Sequence, residues 1–382
     1  MIPLAIPDLS GNEGRYLQEC IATGFVSSVG PFVSRFEQAV AEAAGVDHAV
    51  ATCSGTAGLH VALTAVGVER DDLVLLPSLT FIASANAIAY CGAMPWLLDV
   101  EASSWNLDPL LLERVLRQEC QQVEQRLIHR ASGRRVAAVM PVHTLGLPAD
   151  MMRITALAKA WQLPVVADAA AALGSRCQGV AVGALGADLT VFSFNGNKTV
   201  TTGGGGAVVG RDPSLLQRVR HLSTTARPGE AYEHDRIGFN YRMTNLQAAV
   251  GCAQLERLSG FVAAKRRIRD RYAAAFRSLA NRFRPFPEPA GYQSACWFSG
   301  GLLAAGDRVN REAMQAGLRA GGIAARSFWQ PIHLQEPYRQ APCTEQTVSE
   351  AIWGRIVTLP CSTTLTEQEQ EQVIAAVLQL LA

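Results

Sequence analysis

Between Ala49 and Asp168 the chain repeats one order: an apolar run short enough for a strand, a turn of small or polar residues, then a helical pattern. The run after His48 reaches Ser54-Gly55-Thr56 and opens at once into a helix of small and apolar residues. LVLLP leads through Ser78-Leu79-Thr80 to a helix from about Phe81. Trp96 to Val100 reads as a strand and Leu107 to Arg117 as a helix, and VAAVMPVH reads as a buried strand ending at His143. A helix over Met151 to Trp161 and the strand LPVVAD, ending on Asp168, follow. Strands joined through helices run parallel, so this spacing predicts an α/β fold with a mostly parallel sheet and helices on both faces. In such sheets, ligands bind beyond the carboxyl ends of the strands, which is where the turns at Gly55, Thr56, Ala57, Phe81 and Asp168 fall.

Two of these turns have a chemical reading beside a plain one. The helix after Ser54 leaves unpaired backbone N–H groups at a positive end, which suits a phosphate; it is equally an ordinary capped helix. Phe81 stands at a helix start facing the ligand side, or belongs to the core. Asp168 is a carboxylate in an apolar stretch, either a helix cap or a partner for a buried cation.

VFSFNGNKTVTTGGGG, Val191 to Gly206, adds that cation. Lys198 sits in a short polar loop between an apolar run and four glycines. A glycine block makes room for a bulky ligand near the backbone, and a confined lysine can lose its proton and act as a nucleophile. A strand over ADLTVFSF would return Lys198 to the sheet edge that carries Asp168. Lysine, carboxylate and phosphate cup are the three groups that pyridoxal phosphate chemistry requires. The glycines do not make a dinucleotide fingerprint, because they run into the strand-like AVV with no helix after them. A phosphate-loop signature fails as well, since Asn197 precedes the lysine where glycine is required.

The net charge of +1 gives no electrostatic reason to expect nucleic acid or an anionic membrane. The N-terminus lacks a basic region followed by a long apolar core, and no apolar run approaches the roughly 20 residues that span a bilayer. A cytoplasmic protein is expected. The nine cysteines never fall in CxxC spacing and read as small hydrophobes, and the histidines show no metal-ligand spacing.

From Arg211 the pattern shifts to longer helices. NLQAAVGCAQLERLSGFVAAKRRIRDRYAAAFRSL reads as one continuous amphipathic helix, with a domain boundary near residue 250: 1–250 as a large α/β domain and 251–382 as a small α+β domain. The charged stretch Gln118 to Arg135 reads as exposed helix and loop.

With these residues in view, the chain resembles the DegT/StrS family of nucleotide-sugar aminotransferases. The likeness is carried by GFVSSVGPFVSRFE, CSGTAGLHVAL, PSLTFIASANAI, PVHTLGLPAD, VVADAAAALGS, FSFNGNKTVTTGGGG, IGFNYRMTNLQAAVG and QPIHLQEPY in that order. The resemblance implies the aspartate-aminotransferase-like fold (fold type I) and pyridoxal 5'-phosphate bound covalently through Lys198. It implies that Lys198 later shuttles a proton, that Asp168 pairs with the pyridinium nitrogen, and that Phe81 stacks on the ring. Gly55, Thr56 and Ala57 with the Ser193 hydroxyl would hold the phosphate, and Asn240 would reach the phosphate of the neighbouring subunit in a homodimer. Arg227, His234 and His333 would line the sugar-nucleotide entrance. One departure stands out: Ala171 occupies a position where relatives carry Gln, Glu or His near the cofactor's phenolic oxygen. The implied reaction moves the amino group of L-glutamate to C4 of a nucleotide-linked 4-keto-6-deoxy sugar. FNGNK with TTGGGG looks most like enzymes acting on UDP-linked 4-keto-6-deoxy-N-acetylhexosamines, with GDP-4-keto-6-deoxy-mannose (perosamine type) as the alternative. A cofactor-binding regulatory or scaffold protein, and a nicotinamide-dependent sugar enzyme, are the contrasting readings.

Overall fold

The computed structural model describes residues 1–382. Its central sheet has seven strands in the order Met94–Leu98, Leu73–Pro77, Val136–Val139, Val166–Asp168, Leu189–Ser193, Gly206–Gly210 and His48–Thr52. Parallel bridges Val139–Val165 and Val142–Asp168 join its two halves. Only Gly206–Gly210 runs antiparallel to its neighbours. The expected mostly parallel sheet is therefore present, and Leu189–Ser193 lies directly beside Val166–Asp168, with Val191 opposite Asp168.

Helices cover both faces because the strands are apolar on both sides. Helices Gly55–Ala65, Ile82–Tyr90 and Pro213–Ser223 bury one face through Leu59, Leu63, Ile88 and Leu216. Helices Pro31–Ala44 and Asn245–Leu255 cover part of the other through Phe36, Val40 and Ala248, packed on Phe192 and Phe194. Burying side chains of this size stabilises by about 1.5–3 kcal/mol each relative to exposure.

Three expectations change. The stretch Gln118 to Arg135 forms a hairpin, Cys120–Val123 with Arg126–His129, rather than helix and loop. The supposed long helix is two, Asn245–Leu255 and Leu258–Ala275, separated at Glu256-Arg257. Residue 250 lies inside the first of them, whose Asn245 accepts the Phe32 N–H at 2.9 Å and donates to the Phe25 carbonyl at 2.8 Å. These contacts tie that helix to the large body and move the division to residues 256–258.

The small domain packs a three-stranded antiparallel sheet, Phe283–Pro285, Ser299–Leu303 and Ile356–Leu359, against helices Leu258–Ala275, Arg311–Ala320 and Glu367–Leu381. Its core gathers Tyr272, Phe276, Met314, Leu318 and Val373, and also Ile2. The chain's first residues thus join this domain: Ile2 donates to the Gly322 carbonyl and accepts from Ala324, and Cys361 donates to Leu4. No helix is long and apolar enough to cross a membrane.

Candidate active site

The carboxyl ends of the strands open into a cavity of about 380 Å³, walled by both domains. Asp168, Lys198, Ser193, Gly55, Thr56, Phe81 and Ala171 all line it, so seven sequence-predicted residues converge on one space.

Lys198 is placed by the loop from Phe194 to Gly205. Phe194 is anchored edge-on against Phe36, and its backbone bonds Gly205 and Thr202 at 2.9 Å, closing the loop at its base. The Lys198 N–H donates to the Asn195 carbonyl at 2.9 Å. Its Nζ lies 3.8 Å from the ring centroid of Trp297, whose Nε1–H donates to the Asn197 carbonyl at 2.8 Å. Burial holds the Lys198 pKa down to about 8, with the negative charge of Asp168 opposing part of that fall.

Asp168 is buried at the end of its strand. Burial pushes its pKa up, opposed by the Ser84 hydroxyl donating to Oδ2 at 2.7 Å, the Ala170 N–H donating to Oδ1 at 3.0 Å, and the charge of Lys198. Thr80 bonds the Ser84 hydroxyl in turn at 2.9 Å. The carboxyl group is thus oriented by a chain of hydroxyls, which oppose part of the rise that burial imposes.

At the helix starting with Gly55, Ser54 is the cap: its Oγ accepts the Ala57 N–H at 3.0 Å. The Ala57 N–H is therefore occupied, and the free donors of that first turn are those of Gly55 and Thr56. The glycine block also works differently from expectation. A Cβ on Gly206 would sit 2.5 Å from the Ser54 carbonyl oxygen, and one on Gly205 would collide with Thr202 and Met243. Gly206 lets the returning strand lie close against the cap turn and Gly205 lets it pass Thr202 and Met243, while Gly204 and Gly205 also face the cavity.

Asn240, Arg227 and His234 do not reach the cavity; all three are exposed, and His234 is bonded to the Thr225 carbonyl at 2.8 Å. His333 lies outside the lining, between Ser78 Oγ at 2.6 Å and Glu350 at 3.1 Å. Sequence reasoning missed His143, Ser84, Trp297, Arg326 and Trp329. His143 was signalled, since it ends a strand at the ligand side. Trp297, Arg326 and Trp329 come from the small domain, and no local pattern tells which of its residues face the large one.

The family model for the DegT/DnrJ/EryC1/StrS aminotransferase family matches residues 7–378. The chain belongs to that family. As a DegT/DnrJ/EryC1/StrS aminotransferase it is a pyridoxal phosphate-dependent enzyme. It is 39% identical to a GDP-perosamine synthase of Caulobacter vibrioides, over 100% of this chain and 98% of the relative. It is 37% identical to the putative pyridoxal phosphate-dependent aminotransferase EpsN of Bacillus subtilis (99% and 95% covered). It is 35% identical to a GDP-perosamine synthase of Escherichia coli O157:H7 (96% and 95% covered). Among solved structures, the aminotransferase TlmJ from Streptoalloteichus hindustanus superposes with a TM-score of 0.88 at 31% identity, covering 100% of this chain and 99% of that one.

The cavity of this DegT-family aminotransferase fits pyridoxal phosphate on the evidence of its own atoms. Gly55 and Thr56 N–H groups await an anion beside Ser193, whose Oγ would lie 3.2 Å from a Cβ built on Gly55. Phe81 is 53% exposed, an apolar ring left bare at the cavity wall. His143 Nδ1 accepts the Ala149 N–H at 3.0 Å, so the proton lies on Nε2, a buried donor with no protein partner. Burial holds the His143 pKa down to about 4, which keeps the ring neutral.

Proposed function

We propose that this aminotransferase moves the amino group of L-glutamate to C4 of GDP-4-keto-6-deoxy-mannose. The observation that carries the nucleotide and sugar is the 39% identity to a GDP-perosamine synthase along essentially the whole length of both chains. The loop motif FNGNK…TTGGGG favoured UDP-linked N-acetylhexosamines, but a dozen residues around the cofactor weigh less than a likeness that runs along the whole chain.

Gly55, Thr56 and the Ser193 hydroxyl would hold the cofactor phosphate, Phe81 would cover its ring, and Asp168 would hold the ring nitrogen protonated. Bound pyridoxal phosphate supplies the electron sink and carries the amino group between donor and acceptor. Lys198 supplies the amine that anchors it and afterwards moves the proton at the substrate carbon. A lysine held at about pKa 8 is suited to this, because an appreciable fraction is neutral near neutral pH. Trp297 and Trp329 screen the amine from water.

The functional unit we propose is a homodimer in which Asn240 completes the partner's phosphate site. Support comes from the exposure of Asn240 away from its own cavity and from bare apolar side chains around it and at the N-terminal turn, with Ile237 88% and Val29 65% exposed.

The test is incubation with L-glutamate and a panel of GDP- and UDP-linked 4-keto-6-deoxy sugars, read by mass spectrometry, with Lys198→Ala as the control expected to abolish turnover. Preferential amination of the UDP-linked N-acetylhexosamine would overturn the substrate assignment. Normal turnover by Lys198→Ala would overturn the mechanism.

A further inference from the structure

Trp297 is the small-domain side chain that reaches Lys198. The Nζ lies 3.8 Å from the centroid of its indole, well within the roughly 6 Å over which an aromatic face attracts a cation. Every other pair of this kind in the molecule is made by an arginine, with the guanidinium carbon 4.7 Å or farther from the ring. None of those rings lines the cavity.

The indole is fixed from several sides. Its Nε1–H donates to the Asn197 carbonyl at 2.8 Å, from one domain to the other. Its ring centroid lies 4.0 Å from that of Phe298 and 5.8 Å from that of Trp329. The Trp297 carbonyl accepts from the buried Lys265 at 3.1 Å. Cys296, the residue before it, holds a φ of 51°, in the left-handed region that residues other than glycine seldom adopt. Such a conformation persists where the surroundings over-determine it. Trp297 itself is 3% exposed.

A wall of this kind acts on a confined amine in two opposite ways. By excluding water it disfavours the ammonium, and by offering the negative face of a π system it favours it. An aliphatic side chain in the same place would do only the first. Resting on the aminotransferase reading above, we propose that Trp297 is a positioning residue for Lys198. Its π face stations the amine when that amine is not bonded to the cofactor, and stabilises the ammonium formed when the amine takes up the substrate proton. In that step the proton leaves the substrate carbon for Nζ, and the electron pair of the broken C–H bond passes to the cofactor. The other ionisable groups lining the cavity are Asp168, His143 and Arg326. Asp168 is committed to the ring nitrogen, His143 is neutral, and Arg326 repels a second cation. The indole stabilises the ammonium without a charge of its own, so Nζ can leave it again to return the proton.

The test replaces Trp297 alone by mono-, di-, tri- and tetrafluorotryptophan, which keep the shape and the Nε1–H of indole but drain negative charge from its face. Cofactor-free protein is labelled with limiting acetic anhydride across pH and read at the Lys198 peptide by mass spectrometry. The midpoint, near pH 8 in the unmodified protein, should fall with each added fluorine, by about one pH unit at tetrafluorotryptophan. The same series at Trp329, which lines the cavity without lying under Nζ, should leave the midpoint in place. In the holoenzyme, single-turnover release of 2-oxoglutarate from L-glutamate should slow along the Trp297 series by up to about tenfold, because a weaker base takes the proton more slowly. A midpoint unmoved by fluorination at Trp297, an equal shift from Trp329, or a loss confined to KM for the nucleotide sugar overturns the station and leaves the reaction as proposed. Failure of the unmodified holoenzyme to release 2-oxoglutarate overturns the underlying reading, and the role of Trp297 in it.

Discussion

The most direct consequence of the cavity's electrostatics is the protonation of Lys198 before any cofactor is present. Burial beneath Trp297 lowers its pKa from 10.5 to about 8, a gap worth about 3 kcal/mol against the charged form. At pH 7.5, about a quarter of the amines would then be neutral rather than roughly one in a thousand, a gain in nucleophile of some two hundredfold. Cofactor-free protein labelled with limiting acetic anhydride across pH, read at the Lys198 peptide by mass spectrometry, should show a midpoint near pH 8. Asp168→Asn supplies the sign. The carboxylate stabilises the ammonium, so removing it should move the midpoint below that of wild type. A wild-type midpoint at 10 or above, or an upward shift in Asp168→Asn, would refute the argument.

Other outcomes follow from the same geometry. Ser84→Ala deletes a hydrogen bond to a charged oxygen, a loss of about 1.5–3 kcal/mol, and should lower kcat/KM at least tenfold. Because the Ser84 hydroxyl lowers the Asp168 pKa, its removal should also move the acid limb of the pH profile upward. Lys265 is buried, with Nζ donating to the carbonyls of Trp297 and Cys361 at 3.1 and 3.0 Å. Lys265→Met strands both acceptors and should destabilise by about 2 kcal/mol, visible as a lowered midpoint in denaturant unfolding; an unchanged midpoint would count against a structural role. Ala171→Gln adds a polar group at the cavity wall without displacing Lys198 or Asp168. Turnover should stay within about tenfold, the worth of one neutral hydrogen bond, while the visible absorbance of the bound cofactor shifts.

Asp168 and Lys198 were legible in the sequence for a topological reason. Parallel strands deliver their carboxyl ends to one edge, so residues ending neighbouring strands meet without any knowledge of side-chain packing. Gly55 and Thr56 were legible for the same reason, from the order of strand, turn and helix. Ala57 was placed one donor too far, because the Ser54 cap competes for its N–H and only the geometry of the turn decides between a side-chain and a ligand acceptor. The glycine block was read as room for a ligand, whereas Gly206 gives its space to the backbone of Ser54. The hairpin at 120–129 was hidden because Gln121 and Gln122 interrupt the apolar pattern of its first strand and its turn, Glu124-Gln125, carries no Asn-Gly signal. Arg326 and Trp297 were beyond reach: each sits in a separate domain from Lys198, and only the docking of the two domains brings them together.

The stitching of Ile2 and Leu4 into the C-terminal domain joins the two bodies at the start of the chain as well as near Glu256, and the stretch from Ile332 to Ser349 joins them again, with Ile332 donating to the Ser78 carbonyl, Thr344 to that of Leu97 and Ser349 to Asp99. Connections at this many places resist both swivelling and wide opening of the cleft. Because Leu4 itself walls the cavity, an affinity tag or deletion at the extreme N-terminus is a change to the active-site rim and not a neutral alteration of a loose end.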